Sequence, residues 1–365
     1  MPANSVVVPR REYAPVVLNL MLACGLGGLE QAAFDYHQLL QIAGYRPVSV
    51  IQPQAKMRQL FAQAGLEYEL LNNWGMYDFF SKWQLTKIIR RYRPVCIITH
   101  GSRAAYMTQQ ARYSDKQPII AVSHNYKYKR LLESDYIVAL TKDMQTAIAS
   151  ESYTYEKIIV IPDAVKPAPV AAVKARDEKV WPERPIIGAM GRFEEEKGYD
   201  LLIQALAVLH SSGIECRLVL AGAGSKEKEL RSLAQELAVS QWVDFVGWVS
   251  GAQKQKFLSN CDVFCVPSRR ETFGISMIEA FSYKIPVVAS KTQGPMQIAQ
   301  HGQVMELVDV DDPQALASGL QRMLQDRNYR GKTAESGYNL VQEKYTQSAV
   351  AAGLKDFLSR VIVRS

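Results

Sequence analysis

Apolar residues along this chain come in short runs, many rich in Val and Ile, separated by longer segments whose apolar positions recur at helical spacing. Runs at 15–22, 46–52, 94–99, 118–123, 135–140 and 157–161 read as buried strands, and segments such as 31–43 and 142–150 as helices between them. Strands with near-continuous apolar character, alternating with helices, predict a parallel, doubly wound sheet. The pattern breaks over 166–185, where four prolines and alternating charges leave little periodicity. That stretch reads as a linker. Strand-like runs then restart at 185–190, 215–221, 242–246, 262–267, 286–290 and 304–308, and 346–361 reads as a last helix. The expected organisation is one α/β domain over 1–168, a linker over 169–184, a second over 185–345, and a terminal helix over 346–365. Such sheets bind ligands beyond the carboxyl ends of their strands. Two of them are expected to face a cleft.

Composition narrows the classes. A chain of 365 residues fits two domains at roughly 150 residues each. Its 48% hydrophobic and 22% charged content excludes disordered and collagen-like sequence. No apolar run approaches the roughly 20 residues that span a bilayer. The excess of 43 Lys and Arg over 36 Asp and Glu suits an acidic partner, but charge balance alone is weak evidence for nucleic acid, and none is expected. The five cysteines are scattered, mostly within strand-like runs. They read as reduced, buried thiols in a reducing cytoplasm, and Cys261 and Cys265 lack the neighbours of a zinc site. Arg10 and Arg11 before the apolar 16–24 have the outline of a signal peptide. Asn19 interrupts that run, however, and Gly25-Leu26-Gly27-Gly28-Leu29-Glu30 and a helical pattern follow it. Strand, glycine loop and helix is the reading.

Three loops carry candidate chemistry. Glu271-Thr272-Phe273-Gly274-Ile275-Ser276-Met277-Ile278-Glu279 follows a strand ending near Pro267 and opens a helix, with seven residues between its glutamates. Gly274 lets backbone approach a ligand, and the N–H groups at the helix start favour an anion. Glu279, about one turn inside, is expected to hold a carboxylate free to accept from hydroxyls. By itself the segment is equally an acidic first turn followed by a solvated glutamate. In the second loop, Gly191-Arg192-Phe193-Glu194-Glu195-Glu196-Lys197-Gly198, Arg192 offers a planar fork to phosphate oxygens and Lys197 a movable charge. The alternative is that both cations simply pair with Glu194 to Glu196. The Gly25–Glu30 loop resembles a phosphate cradle but lacks the third glycine of the dinucleotide fingerprint, and no P-loop motif occurs.

Together these residues resemble glycosyltransferase family 4, retaining nucleotide-sugar transferases of the GT-B fold. The resemblance covers most of the chain and is densest from Ile186 to Asp312. It rests on Gly27-Gly28-Leu29-Glu30, Gly191-Arg192 with Lys197-Gly198, Leu218 to Gly224, Phe245-Val246-Gly247-Trp248, Asp262-Val263-Phe264, Pro267-Ser268, the Glu271 and Glu279 pair, and Pro286 to Ser290. It implies two Rossmann-like domains, the first binding the acceptor and the second the nucleotide sugar, with the last helix crossing back to the first. Arg192 and Lys197 match the pair that neutralises the donor diphosphate. Glu279 matches the glutamate on the ribose, and Glu271 the one beside the transferred sugar. Thr272, Phe273 and Gly274 are expected to give backbone contacts, and Gly27 and Gly28 to close over the phosphates. His124 looks like the histidine near the reacting carbon, with His100 its rival.

The activity implied is transfer of a hexosyl group from a UDP- or GDP-linked sugar to a glycan or lipid-linked acceptor, as in lipopolysaccharide or other envelope polysaccharide synthesis. No permanently bound cofactor and no metal is expected. Alternatives are an epimerase of the same fold and a non-catalytic glycan- or membrane-binding subunit. Departures from the family pattern, with Asp163 in place of a common Asn, Lys284 in place of a glycine, Gln297 in place of a glutamate, and Met305-Glu306-Leu307 without the family's glycine, bear on sugar and acceptor specificity more than on the phosphate site.

A membrane-facing surface is also expected. On a helix over 79–93, Leu85, Ile88, Ile89 and Tyr92 share one side, and Phe79, Phe80, Trp83, Lys87 and Arg90 collect on the other. Aromatics mixed with cations suit an anionic lipid surface. Tyr126-Lys127-Tyr128-Lys129-Arg130 adds a second such stretch. The competing reading packs the aromatics in a loop. A cytoplasmic protein, peripheral at the inner face of the membrane, fits the first.

Overall fold

The computed structural model describes residues 14–25, 28–75, 77–112, 117–151, 153–177 and 180–363. The chain divides into two units, Met1–Ala164 with Gln347–Ser365, and Val165–Thr346.

The first unit is built on seven parallel strands: β1 (Val16–Met21), β2 (Arg46–Ile51), β3 (Tyr68–Leu70), β4 (Cys96–His100), β5 (Ile119–Ser123), β6 (Tyr136–Ala139) and β7 (Ile158–Val160). Their order is β3-β2-β1-β4-β5-β6-β7, so the winding reverses between β1 and β4. There Met21 lies opposite His100. Ligand crevices form at such reversals because the loops leaving the two strands diverge to opposite faces.

Alternation along β1 sends Val17 to one face of the sheet, among Tyr36, Leu39, Leu40 and Phe357, and Leu18 and Leu20 to the other, among Leu85, Ile89 and Met107. The terminal helix Gln347–Val363 belongs to the first face. Val350, Ala351, Leu354, Phe357, Leu358 and Val361 recur at helical spacing and are all buried there. Each large side chain so buried contributes about 1.5–3 kcal/mol.

The second unit carries β8 (Ile186–Met190), β9 (Arg217–Ala221), β10 (Val243–Gly247), β11 (Val263–Val266), β12 (Val287–Ser290) and β13 (Glu306–Val308), all parallel in the order β10-β9-β8-β11-β12-β13. Its winding reverses between β8 and β11. The candidate loops Gly191–Gly198 and 267–274 leave those two strands. Leu202, Leu206, Leu220, Val263, Leu320 and Met323 lie in its core.

Every strand-like run read from the sequence is a strand. β3 was not foreseen: three residues long, at the sheet edge beside β2, it has no apolar run to announce it. The stretch read as a linker contains a helix, Val170–Asp177. That helix buries none of its residues and is held by charges in its last turn instead. Arg176 faces Asp262 at 3.8 Å and Asp177 meets Lys284 at 2.6 Å. A helix without an apolar face leaves no periodic signal. None of the five cysteines forms a disulfide, and four are buried. Among the described residues, no helix is long and apolar enough to cross a membrane.

Candidate functional site

In the second unit the chain leaves β8 at Met190, makes one short turn over Glu195–Lys197, and stops at Gly198 with φ of 65°. A Cβ on Gly198 would lie 2.1 Å from the carbonyl oxygen of Pro267. Only glycine lets the loops after β8 and β11 come this close. The backbone N–H of Arg269 then donates to Glu196 O at 2.9 Å, tying one loop to the other.

This juxtaposition brings Lys197 to Glu271. The ammonium donates to Glu271 Oε2 at 2.7 Å, with the side chains only 22% and 14% exposed. The expected alternative, pairing of Lys197 with Glu194 to Glu196, is therefore not what forms. Arg192 does pair within its own loop, at 3.0 Å from Glu196, and stays 60% exposed. Glu194 accepts from the backbone and hydroxyl of Ser225. Tyr199 is buried nearby; burial and then the charge of Glu271 push its phenol pKa up, so it remains neutral.

Glu271 is fixed from the backbone side as well, its carbonyl accepting from Gly294 N at 2.9 Å. Phe273 is buried edge-on against Tyr345, with ring centroids 5.8 Å apart, so its side chain serves packing. Gly274, at φ 89°, is the cap that starts helix Ile275–Ser282. Thr272 is half-buried between them.

Glu279 requires a correction. Its carboxylate is not free: Oε1 accepts from Lys254 Nζ, which arrives from helix Gly251–Asn260. The sequence hid this pairing because the partners lie on different elements, 25 positions apart. Hydroxyls are left with the second carboxylate oxygen, beside a cation.

Arg269 is a participant that sequence reasoning missed. Its guanidinium grips both carboxylate oxygens of Asp200, at 2.8 and 2.6 Å, donates to Glu195 O at 3.0 Å, and also holds Asp311. A bidentate grip of this kind fixes geometry as well as charge. Nothing local in the sequence distinguishes Arg269 from Arg270, which is exposed.

In the first unit, His100 ends β4 and is 1% exposed, while His124 follows β5 and is half-buried. They are not independent rivals. His100 Nδ1 lies 3.0 Å from His124 Nε2, and His100 Nε2 lies 2.8 Å from Asn19 Oδ1. Burial pushes both imidazole pKa values down, that of His124 to about 4, so both are neutral near pH 7. Of the glycine pair, Gly28 opens helix Gly28–Ile42, whereas Gly27 lies outside the described residues.

The aromatic face also takes shape. Asp78 caps helix Phe79–Tyr92, accepting from Phe80 N and Ser81 N at 3.0 and 3.1 Å. Leu85, Ile88 and Ile89 are buried beneath it. Phe79, Phe80 and Trp83 are 77%, 73% and 51% exposed, so the packed-loop alternative does not hold. Lys87 sits 3.3 Å over the Trp83 ring. The second stretch is different: Tyr128 is buried, with its hydroxyl on Ala147 O, and Tyr126 packs into the core, so only cations of that stretch face outward.

Residues 173–340 match the family described as Glycosyl transferases group 1. The chain is 24% identical over 340 residues to the lipopolysaccharide core biosynthesis glycosyltransferase LpsD of Rhizobium meliloti, covering 93% of this chain and 96% of that one. It is 29% identical over 203 residues to the GDP-mannose-dependent alpha-(1-6)-phosphatidylinositol monomannoside mannosyltransferase of Mycobacterium tuberculosis, covering 54% of this chain and 53% of that one. Among solved structures it resembles Anabaena HepE in complex with UDP and glucose, with a TM-score of 0.78, 19% identity, and coverage of 95% of this chain and 100% of HepE. With two parallel, doubly wound units and a glycosyltransferase group 1 match across most of the second, the protein is a GT-B glycosyltransferase of the hexosyltransferase type.

Proposed function

We propose that this protein is a retaining family 4 transferase that moves a sugar from a nucleoside-diphosphate sugar, UDP- or GDP-linked, to a glycan or lipid-linked acceptor of the cell envelope, such as a lipopolysaccharide precursor. The observation that carries the reading is the Lys197–Glu271 pair, 2.7 Å apart at the winding reversal of the second sheet, beside Arg192 and the Gly274-capped helix. Support comes from LpsD and the mannosyltransferase, by their names, and from HepE, which was solved with UDP and glucose.

In this reading the diphosphate displaces Glu196 from Arg192 and shares Lys197 with Glu271. As the bond from the sugar to the diphosphate breaks, charge grows on the leaving oxygen. Lys197 and the N–H groups after Gly274 face that charge already oriented, the arrangement that lowers such barriers most, and Arg192 joins them once freed from Glu196. Glu271 stands beside the sugar, with Thr272 and Phe273 offering backbone. Glu279 holds the ribose through its remaining oxygen. His124, Gly27 and Gly28 are assigned to the transferred sugar and the phosphates. The acceptor hydroxyl attacks from the side of the leaving group and passes its proton to the departing diphosphate oxygen, so configuration is retained.

Thermal unfolding in the presence of UDP, GDP, ADP and CMP tests the donor assignment. A nucleotide at 100 times its Kd adds about 2.7 kcal/mol, or several degrees for a domain this size. One diphosphate is expected to shift the wild type and not Glu279→Ala. No shift with any of them leaves a non-catalytic subunit, and nucleotide released without an acceptor leaves an epimerase. The anomeric configuration of the product, read by NMR, tests retention. We also assign the face of Phe79, Phe80, Trp83, Lys87 and Arg90 to an anionic membrane, which makes the protein peripheral at the inner leaflet.

A further inference from the structure

The two histidines at the ends of β4 and β5 belong to a buried polar chain whose hydrogen atoms can be assigned from one end. Asn19 Nδ2 donates to Ala33 O at 2.8 Å and to Ser49 Oγ at 3.2 Å. Its other atom, Oδ1, therefore faces His100 Nε2, and an amide oxygen can only accept. So His100 Nε2 carries the proton. In a neutral ring Nδ1 is then bare, and it accepts from His124 Nε2. Which ring nitrogen of a histidine is protonated is set by what the other one meets. The consequence travels outward: His124 Nε2 is spoken for as a donor, leaving Nδ1 without a proton.

We infer that His100, held by Asn19, is a positioning residue that locks His124 in the Nε2–H tautomer, so that His124 presents Nδ1 to the substrate as a hydrogen-bond acceptor for a sugar hydroxyl. This rests on the proposal that His124 serves the transferred sugar. It removes one role from His124: with both rings neutral, Nδ1 has no proton to give to a leaving oxygen. Asn19 and His100 are 1% exposed each, so water does not compete for the chain. The near-parallel stacking of the two rings, 25° between planes at 5.3 Å, and the edge contact of Tyr36 on His100 hold the orientation.

The test is imidazole 15N NMR of histidine-labelled protein without ligand, combined with transfer kinetics. The wild type at pH 7 is expected to show His124 and His100 both as Nε2–H tautomers. An Nδ1–H, cationic or averaged His124 overturns the inference. In His100→Phe, which keeps the ring against Tyr36 but accepts nothing, His124 is expected to become a tautomer mixture. Its kcat should fall on the order of 10- to 100-fold, the range of a slightly misplaced group, with donor KM within about twofold. His100→Gln, able to accept from His124 and donate to Asn19, is expected to recover part of that loss. Unchanged tautomer and kcat in His100→Phe also overturn the inference. Because the wild-type spectrum needs no variant, a misfolded His100→Phe does not blunt the test. Full transfer by His124→Ala would instead remove the underlying role of His124, whatever the spectra show.

Discussion

Lys197 and Glu271 come from loops 74 positions apart, yet their charged ends meet at 2.7 Å with both side chains mostly out of solvent. Each satisfies the other, which keeps the cation of the proposed donor site oriented in advance. Lys197→Ala is expected to cut turnover by about 100-fold or more, as loss of one oriented donor commonly does. Circular dichroism should show the fold retained. Near wild-type turnover in that variant would remove this loop pair from the active site.

Arg269 tests whether the clamp behind the pair matters. Arg269→Ala leaves Asp200 and Asp311 without their common partner and is expected to cost about 1–3 kcal/mol of stability. Arg269→Lys should recover little of it, because an ammonium cannot span both oxygens of Asp200. Urea unfolding measures the cost. Donor KM should rise in both variants as the loop carrying Glu271 loosens.

Asp163 stands where the resembling family usually has asparagine, and its pKa is raised to about 7, first by burial and second by the charge of Asp35. The sign follows from linkage. An acid whose folded pKa exceeds its unfolded value of 3.8 favours the folded state while protonated, and that advantage is lost as pH rises through 4 to 7. Asp163→Asn is therefore expected to melt increasingly above the wild type over that window, with the gap levelling off above pH 7. Melting temperatures of both proteins from pH 4 to 8 check this. The difference between the two isolates Asp163 from the buried histidines, which titrate in the opposite sense.

For the aromatic face, Phe80→Ser with Trp83→Ser is expected to leave melting unchanged, since both side chains are exposed, and to abolish co-sedimentation with anionic vesicles. Lys87→Ala with Arg90→Ala should weaken it by about 1 kcal/mol per cation at low salt. Equal binding of the wild type to neutral and anionic vesicles would exclude the membrane assignment.

What the sequence makes legible follows from what generates pattern. Central strands such as β4 and β5 are buried on both faces, so they write themselves as apolar runs. β3, short and at an edge, does not, nor does Val170–Asp177, which is held by two ion pairs rather than an apolar face. In the site, Arg192, Lys197, Glu271 and Glu279 stand out through their spacing from glycines at strand ends. Their partners do not. Lys254 on Glu279, Arg269 on Asp200 and His100 on His124 arise only when distant segments are folded together. Sequence spacing thus reveals which groups gather at the strand ends, while the pairings that set their charge and tautomer come from tertiary structure.

The helix Gln347–Val363 completes the core of a sheet whose first strand is made more than 300 residues earlier. During synthesis the second unit is whole before the first can close. Tyr36, Leu39 and Leu40 emerge early and wait for Phe357 and Leu358 with their apolar faces uncovered. The first unit, begun before the second, is therefore completed after it. Ribosome-bound chains ending near 346 are the stage at which it most needs a chaperone.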